Sequence, residues 1–154
     1  MSGFAPEEIF AALAAAGVDY VTVGGFAVIA HGVVRATVDV DIVPSPEPSN
    51  ALRMSEALVR LNAHPAGEPE LAVTADLLAR DANTRFISSA GQIDVLAHGQ
   101  YRRLFADLRA RAATIEVEGT PVIVASRNDL IRLKAATGRD RDLLDIGDLL
   151  ALEE

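Results

Sequence analysis

The sequence predicts a mixed α/β fold of the α+β kind: a mixed sheet with helices packed on it and a short pair of helices at the C-terminus. Three observations predict it. Short β-branched runs such as Tyr20-Val21-Thr22-Val23 alternate with longer segments of helical period. Two pairs of strand-like runs flank turn sequences, Ser89-Ala90-Gly91 and Glu118-Gly119-Thr120-Pro121. From Ser126 onward the pattern is helical. Half of the 154 residues are hydrophobic, enough for one core. No linker or repeat divides the chain, so residues 1–154 read as one domain, with its core at about 5–125 and the helix pair at about 126–152.

Each element has a local reason. Ala5 to Ala16 reads as a helix: Pro6 suits the first turn, Glu7 and Glu8 favour the positive end of the dipole, and Gly17 suits the stop. Asp19 to Val23 reads as a strand, Gly25 to His31 as a short helix ended by Gly32, and Val38 to Val43 as a second strand. Pro44, Pro46 and Pro48 then break the chain. Ser49 to Asn62 is helical in period, with Ser49 or Asn50 as N-cap. A short helix is expected near Thr74 to Arg80, capped by Thr74. Arg85 to Ser88 and Gln92 to Ala97 form a hairpin, Tyr101 to Ala112 a helix, and Thr114 to Val117 and Val122 to Ala125 a second hairpin. Ser126 and Asp129 give a capping-box pattern for the next helix, which Gly138 interrupts. The last helix runs from about Asp140 to Leu152.

Composition excludes several functions. The chain has no cysteine, hence no disulfide, thiolate metal site or thiol nucleophile. Charges or turn residues interrupt every apolar run, and acids occupy the N-terminus where a signal peptide needs cations. A cytoplasmic protein with no membrane partner is expected. The net charge of −8 argues against a long nucleic-acid footprint. The one local basic patch, Tyr101 to Arg111, reads first as a solvated helix face.

The chemistry is concentrated in Val23 to Val43. Val38, Val40 and Ile42 line one face of the second strand, and Asp39 and Asp41 stand together on the other. Their Cβ atoms stand about 6–7 Å apart, twice the rise of a strand residue, and two carboxylates at that spacing repel each other. Water, arginines or a divalent cation can relieve them. A wet edge strand is the plain alternative. A third acid, Asp94, sits in another apolar strand, Ile93-Asp94-Val95-Leu96. Three isolated acids in two apolar strands are costly unless they converge on a cation. Gly24 and Gly25 stand at a strand-to-helix junction, where backbone N–H groups can approach a phosphate.

These residues resemble the nucleotidyltransferase superfamily with the DNA polymerase β-like fold. Its signature is Gly-Gly or Gly-Ser, a spacer, and Asp-x-Asp. The finer pattern of Gly24, Gly25, Ala27, His31, Gly32, Arg35, Thr37, Asp39 and Asp41 is similar to the AbiEii-type group, which includes toxins of type IV toxin–antitoxin systems. Gly91 to Leu96 resembles the family's third-carboxylate strand. Leu133 to Leu150 resembles its C-terminal helix pair, through Lys134, Arg139, Asp142 and Asp145. Arg141 stands where lysine is usual, and Asp140 where proline is common.

The resemblance implies transfer of a nucleoside monophosphate from a nucleoside triphosphate (NTP) to an acceptor hydroxyl. Asp39, Asp41 and Asp94 would be the catalytic and metal-binding carboxylates, holding two Mg²⁺ ions (Mn²⁺ being the alternative), with Asp94 also the general base. Gly24, Gly25, Arg35, Thr37 and Lys134 would bind the nucleotide, Lys134 as a point charge on the β- and γ-phosphates. Arg35 suits a phosphate or the carboxylates equally well.

Two further features read as structural. His31 precedes Gly32 at a helix end, where it can cap carbonyls. Asp142 and Asp145 share a helix face with Arg139 and Arg141 nearby, a salt-bridge cluster fixing the helix pair behind the site.

Three functions follow. One is an AbiEii-like enzyme acting on RNA or protein, with an antitoxin partner. Another is an antibiotic nucleotidyltransferase, since an acidic chain suits a cationic aminoglycoside or lincosamide. The third is a nucleotide-binding regulatory partner with little catalysis. With little sequence beyond the core, acceptor recognition is expected to involve a homodimer partner or a second protein.

Overall fold

The computed structural model describes residues 3–152. Seven strands form one mixed sheet: β1 (Tyr20–Val23), β2 (Asp39–Pro44), β3 (His64–Pro65), β4 (Asn83–Ser88), β5 (Gly91–Leu96), β6 (Ala113–Val117) and β7 (Thr120–Val124). Their order across the sheet is β3-β4-β5-β2-β1-β7-β6. The helices are α1 (Pro6–Ala15), α2 (Gly24–Ala30), α3 (Pro48–Arg60), α4 (Ala75–Leu78), α5 (Gly99–Arg111), α6 (Arg127–Thr137) and α7 (Asp140–Ala151). The architecture is the expected mixed sheet with packed helices and a C-terminal helix pair.

The sheet's centre positions the site. β2 pairs antiparallel with β1 and parallel with β5. β1 pairs parallel with β7. β1 is buried at all four positions, as a central strand covered on both faces must be. Val40 and Ile42 on β2, Phe86 on β4, and Ile93 and Val95 on β5 supply the apolar side, each at most 2% exposed. Phe10 from α1 lies 5.2 Å from the Phe26 ring and 6.2 Å from the Tyr20 ring, tying α1 to α2 and β1. Each such aromatic contributes about 1.5–3 kcal/mol through burial.

Some local expectations are corrected. Pro48 takes the first turn of α3 and Glu47 is its N-cap, so neither Ser49 nor Asn50 caps it. Asn50 is instead buried, and its amide clamps the backbone of Asp19 and Ser45. Strand β3 has only two residues and carries no sequence signal. The β4–β5 turn is two residues, not three, with Ser88 paired to Gly91. Thr74 caps α4 and Ser126 caps α6 through their hydroxyls, as expected. Asp129 does not complete a capping box: its carboxylate pairs with Arg111 and Arg132. At α7 the Asp142 carboxylate accepts from the Arg139 backbone N–H, and no N-cap side chain returns the bond.

Candidate active site

The site grows from the register of three strands. Asp41 stands directly opposite Val23 on β1 and Asp94 on β5, and Asp39 opposite Gln92. Asp39, Asp41 and Asp94 thereby share one face, and one carboxylate oxygen from each lies within 4.8 Å of the others. All three side chains are half-buried. That face is not a solvated edge: Val43, two residues beyond Asp41, is fully buried. The pair Asp39 and Asp41 lines a pit rather than an open surface.

Burial and the neighbouring carboxylates of Asp39 and Asp94 push the Asp41 pKa up to about 7. Lys134 opposes that shift only in part. The donor set is all oxygen and all anionic, which suits a hard divalent cation. A cation there would relieve the repulsion that raises Asp41. Asp39 is oriented from two sides: the Gln92 amide donates to one oxygen at 3.1 Å, and the Thr37 hydroxyl to the other at 3.3 Å.

Gly24 explains how Asp41 fits. Its φ is +74°, and a Cβ there would lie 2.8 Å from Asp41 Cγ. A Cβ at Gly25 would lie 2.7 Å from Arg35 Nη1. Both glycines therefore make room for functional side chains.

A cavity of about 330 Å³ opens over the carboxylates. Besides the triad and the two glycines, cations line it: Arg35, Arg85, Lys134, Arg139 and Arg141. Asp142 and Asp145 organise four of these. Lys134 Nζ lies 2.9 Å from Asp145 and 3.6 Å from Asp142. Arg35 and Arg141 reach Asp145 at 2.8 and 3.0 Å, and Arg139 reaches Asp142 at 2.8 Å. The salt-bridge cluster is present as expected. Its place is corrected: it forms a wall of the cavity instead of lying behind the site. Hydrogen bonds from Arg139, above all, hold the Asp142 carboxyl well below the usual carboxylate range. Arg35 neutralises Asp145 on α7, and its buried Nε has no hydrogen-bond partner among the described residues.

A second cavity, about 180 Å³, adjoins the first through Gly24, Asp41, Lys134, Arg139 and Asp142. Its remaining walls are mostly apolar: Val23, Leu96, Tyr101, Leu130 and Leu133, with Thr137. Burial, then the charge on Asp41, raises the Tyr101 pKa.

The structure thus brings together Gly24, Gly25, Arg35, Thr37, Asp39, Asp41, Asp94 and Lys134. Sequence reasoning missed Arg85, Gln92 and Tyr101. Arg85 pairs with Asp94 across the hairpin, Nε to Oδ1 at 3.0 Å, and that contact raises its pKa. The strand alternation that singled out Asp94 also carried Gln92, two residues away on the same face. His31 ends α2, but its ring does not cap that helix: it lies 2.8 Å from the Ala125 carbonyl, one residue beyond β7. The basic patch on α5 is largely consumed internally: Arg102 binds the Ala97 carbonyl, Arg109 pairs with Asp19, and Arg111 with Asp129. Among the described residues, no helix is long and apolar enough to cross a membrane.

Known structures share this arrangement of elements. The lincosamide antibiotic adenylyltransferase LnuA, solved with lincomycin bound, is similar over 98% of this chain and 99% of its own, with a TM-score of 0.66 and 14% identity. The antibiotic-resistance factor ANT(2'')-Ia is similar over 94% of this chain and 80% of its own, with a TM-score of 0.64 and 13% identity. An antigenic nucleotidyltransferase-like protein from Paracoccidioides brasiliensis is similar over 98% and 80%, with a TM-score of 0.59 and 17% identity. At these identities the likeness is one of fold. No curated protein matches the chain in sequence. Residues 7–152 match the family described as nucleotidyltransferase of unknown function (DUF6036), and the chain belongs to that family of nucleotidyltransferases.

Proposed function

We propose that this enzyme moves a nucleoside monophosphate from an NTP to an acceptor hydroxyl, with Mg²⁺ held by Asp39, Asp41 and Asp94. The observation that carries this reading is the contiguity of two opposite fields. Three carboxylates converge within 4.8 Å, and a glycine-lined, cation-rich wall adjoins them. The first suits divalent cations and the second a triphosphate.

When bound, the metal neutralises phosphate charge and lowers the cost of ionising the acceptor hydroxyl. The chain does the rest by positioning. Gly24 and Gly25 let the backbone approach the phosphates. Lys134 and Arg35, both lining the cavity, hold the leaving pyrophosphate. Thr37 and Gln92 fix the orientation of Asp39. Asp94 accepts the acceptor's proton. The acceptor oxygen bonds to the α-phosphorus as the α–β bridging bond breaks, and pyrophosphate leaves.

For the acceptor, the AbiEii-type pattern from Gly24 to Asp41 and from Lys134 to Asp145 supports a toxin acting on RNA or protein, with an antitoxin partner. A second reading is a small-molecule acceptor. It is supported by the match to LnuA over 99% of that chain, and by the net charge of −8, which suits a cationic drug.

Transfer of label from each α-³²P NTP tests this, with separate pools of RNA, protein, and aminoglycosides with lincosamides. Asp39→Ala serves as control. Label in one pool, absent with the variant, establishes transfer and the acceptor class. Nucleotide binding without label in any pool would refute transfer and favour a regulatory module.

A further inference from the structure

The carboxylate triad has two flanks, and they differ. On the β1 side lie Gly24, Gly25 and the cations of α6 and α7. On the other side lie β5 and then β4. In-line displacement places the attacking oxygen opposite the leaving pyrophosphate. If the pyrophosphate occupies the glycine and lysine flank, the acceptor enters over β5 and β4.

That flank holds an open cavity of about 340 Å³, lined by Asn83, Thr84, Arg85, Asp94 and Leu96. It shares Arg85 and Asp94 with the cavity over the triad. The register explains its shape. Asn83 and Arg85 stand opposite Leu96 and Asp94, on the carboxylate face. β3 pairs only with Phe86 and Ile87, so no strand borders β4 at Asn83 and Thr84.

Arg85 differs in its pairing from the other cations of the site. Arg35, Lys134, Arg139 and Arg141 all pair with Asp142 or Asp145. The Arg85 side chain, 58% exposed, pairs with Asp94, a member of the triad. The other four cations are held by the buried Asp142 and Asp145, whereas Arg85 borders the open cavity beside the triad with most of its side chain in solvent. A planar fork beside the general base matches a phosphate bidentately and repels a cation.

We propose that Arg85 binds a phosphate of the acceptor, so that the acceptor is a phosphate-bearing molecule entering across β4. This rests on the transfer reading above and names its acceptor class. The phosphate can belong to the last nucleotide of an RNA chain or to a free nucleotide.

The test compares wild type, Arg85→Gln and Arg85→Lys. One arm measures label transfer to a short oligoribonucleotide, to a ribonucleoside 5′-monophosphate, and to a cationic aminoglycoside. The other measures equilibrium binding of a fluorescent oligoribonucleotide ending in a 3′-deoxynucleotide, and of the 5′-monophosphate, at several salt concentrations. Arg85→Gln should raise the acceptor KM and the Kd about tenfold. It should also flatten the salt dependence by close to one phosphate contact. Arg85→Lys should recover part of the loss. A preference for the oligoribonucleotide or the monophosphate tells the two sources apart. Transfer to the aminoglycoside with Arg85→Gln equal to or better than wild type would overturn the proposal, as would unchanged Kd and salt slope. If wild type transfers to nothing, the transfer reading fails, and the binding arm still decides whether Arg85 holds a phosphate. The variant is at an exposed position, and its melting temperature should match wild type.

Discussion

Asp41 and Asp94 stand directly opposite each other on the parallel strands β2 and β5, two acids in one register. Burial, then the neighbouring carboxylates of Asp39 and Asp94, raise the Asp41 pKa to about 7, above the ordinary carboxylate value near 3.9. A raised acid contributes stability below its unfolded pKa and loses it as pH rises through the folded one. Between about pH 4 and pH 7 the metal-free protein should therefore lose thermal stability, on the order of a few kcal/mol. Asp41→Asn should flatten that decline. Magnesium should raise the melting temperature more at pH 8 than at pH 5, because a proton competes with it at low pH. Equal shifts at both pH values would sink this account.

Gly24→Ala should damage the site more than a surface alanine does. The new Cβ would press on the Asp41 carboxylate, and the position has φ of +74°. The expected cost is about 1–3 kcal/mol. The magnesium-induced rise in melting temperature should fall as well, since Asp41 must move. Calorimetry with and without the ion checks both. A variant of wild-type stability that keeps its full response to magnesium would contradict the stated clash.

Asp145 is fully buried and faces Arg35, Lys134 and Arg141. Removing one partner from a buried ion pair typically costs about 3–5 kcal/mol. Asp145→Ala should reach that range and weaken NTP binding, since Lys134 and Arg35 lose their anchor. Lys134→Met should weaken NTP binding with a smaller loss of stability. Denaturant titration and nucleotide-binding isotherms separate the two effects. Undiminished NTP affinity in both variants would place the triphosphate elsewhere.

The Gln92 amide donates to the Asp39 carboxylate at 3.1 Å. Partners of this kind commonly tune metal affinity about 10–100-fold. Gln92→Leu should weaken magnesium dependence by about that factor, read as the metal concentration for half-maximal thermal stabilisation. Restoration by Gln92→Asn would be partial at best, because the shorter amide falls short of Asp39.

The legible parts of the site are those with local patterns. Alternation alone set Asp39 and Asp41 on one face and Asp94 on its own strand's polar face. Arg85 shows where local reading stops. A three-residue turn at Ser89-Ala90-Gly91 shifts the hairpin by one residue and turns Arg85 away from Asp94. The observed two-residue turn sets Arg85 opposite it. Strand register has a period of two, so a slip of one residue changes the face. Asn50 shows the same limit in a helix: as a side chain it reads as a cap, and only the neighbouring Asp19 backbone gives it another use.

By itself the sequence determined the mixed α/β class, the order of the main elements, and the residues that carry charge in apolar strands. These follow from side-chain periodicity, turn chemistry and the cost of burying carboxylates, all of which act within a few residues. The tertiary structure alone decided that β2 lies between β1 and β5, that Asp142 and Asp145 form a wall of the site, and that Gly24 makes room for Asp41. Those are contacts between segments far apart in the chain. Their partners are selected by packing across the whole core, and no local pattern encodes them.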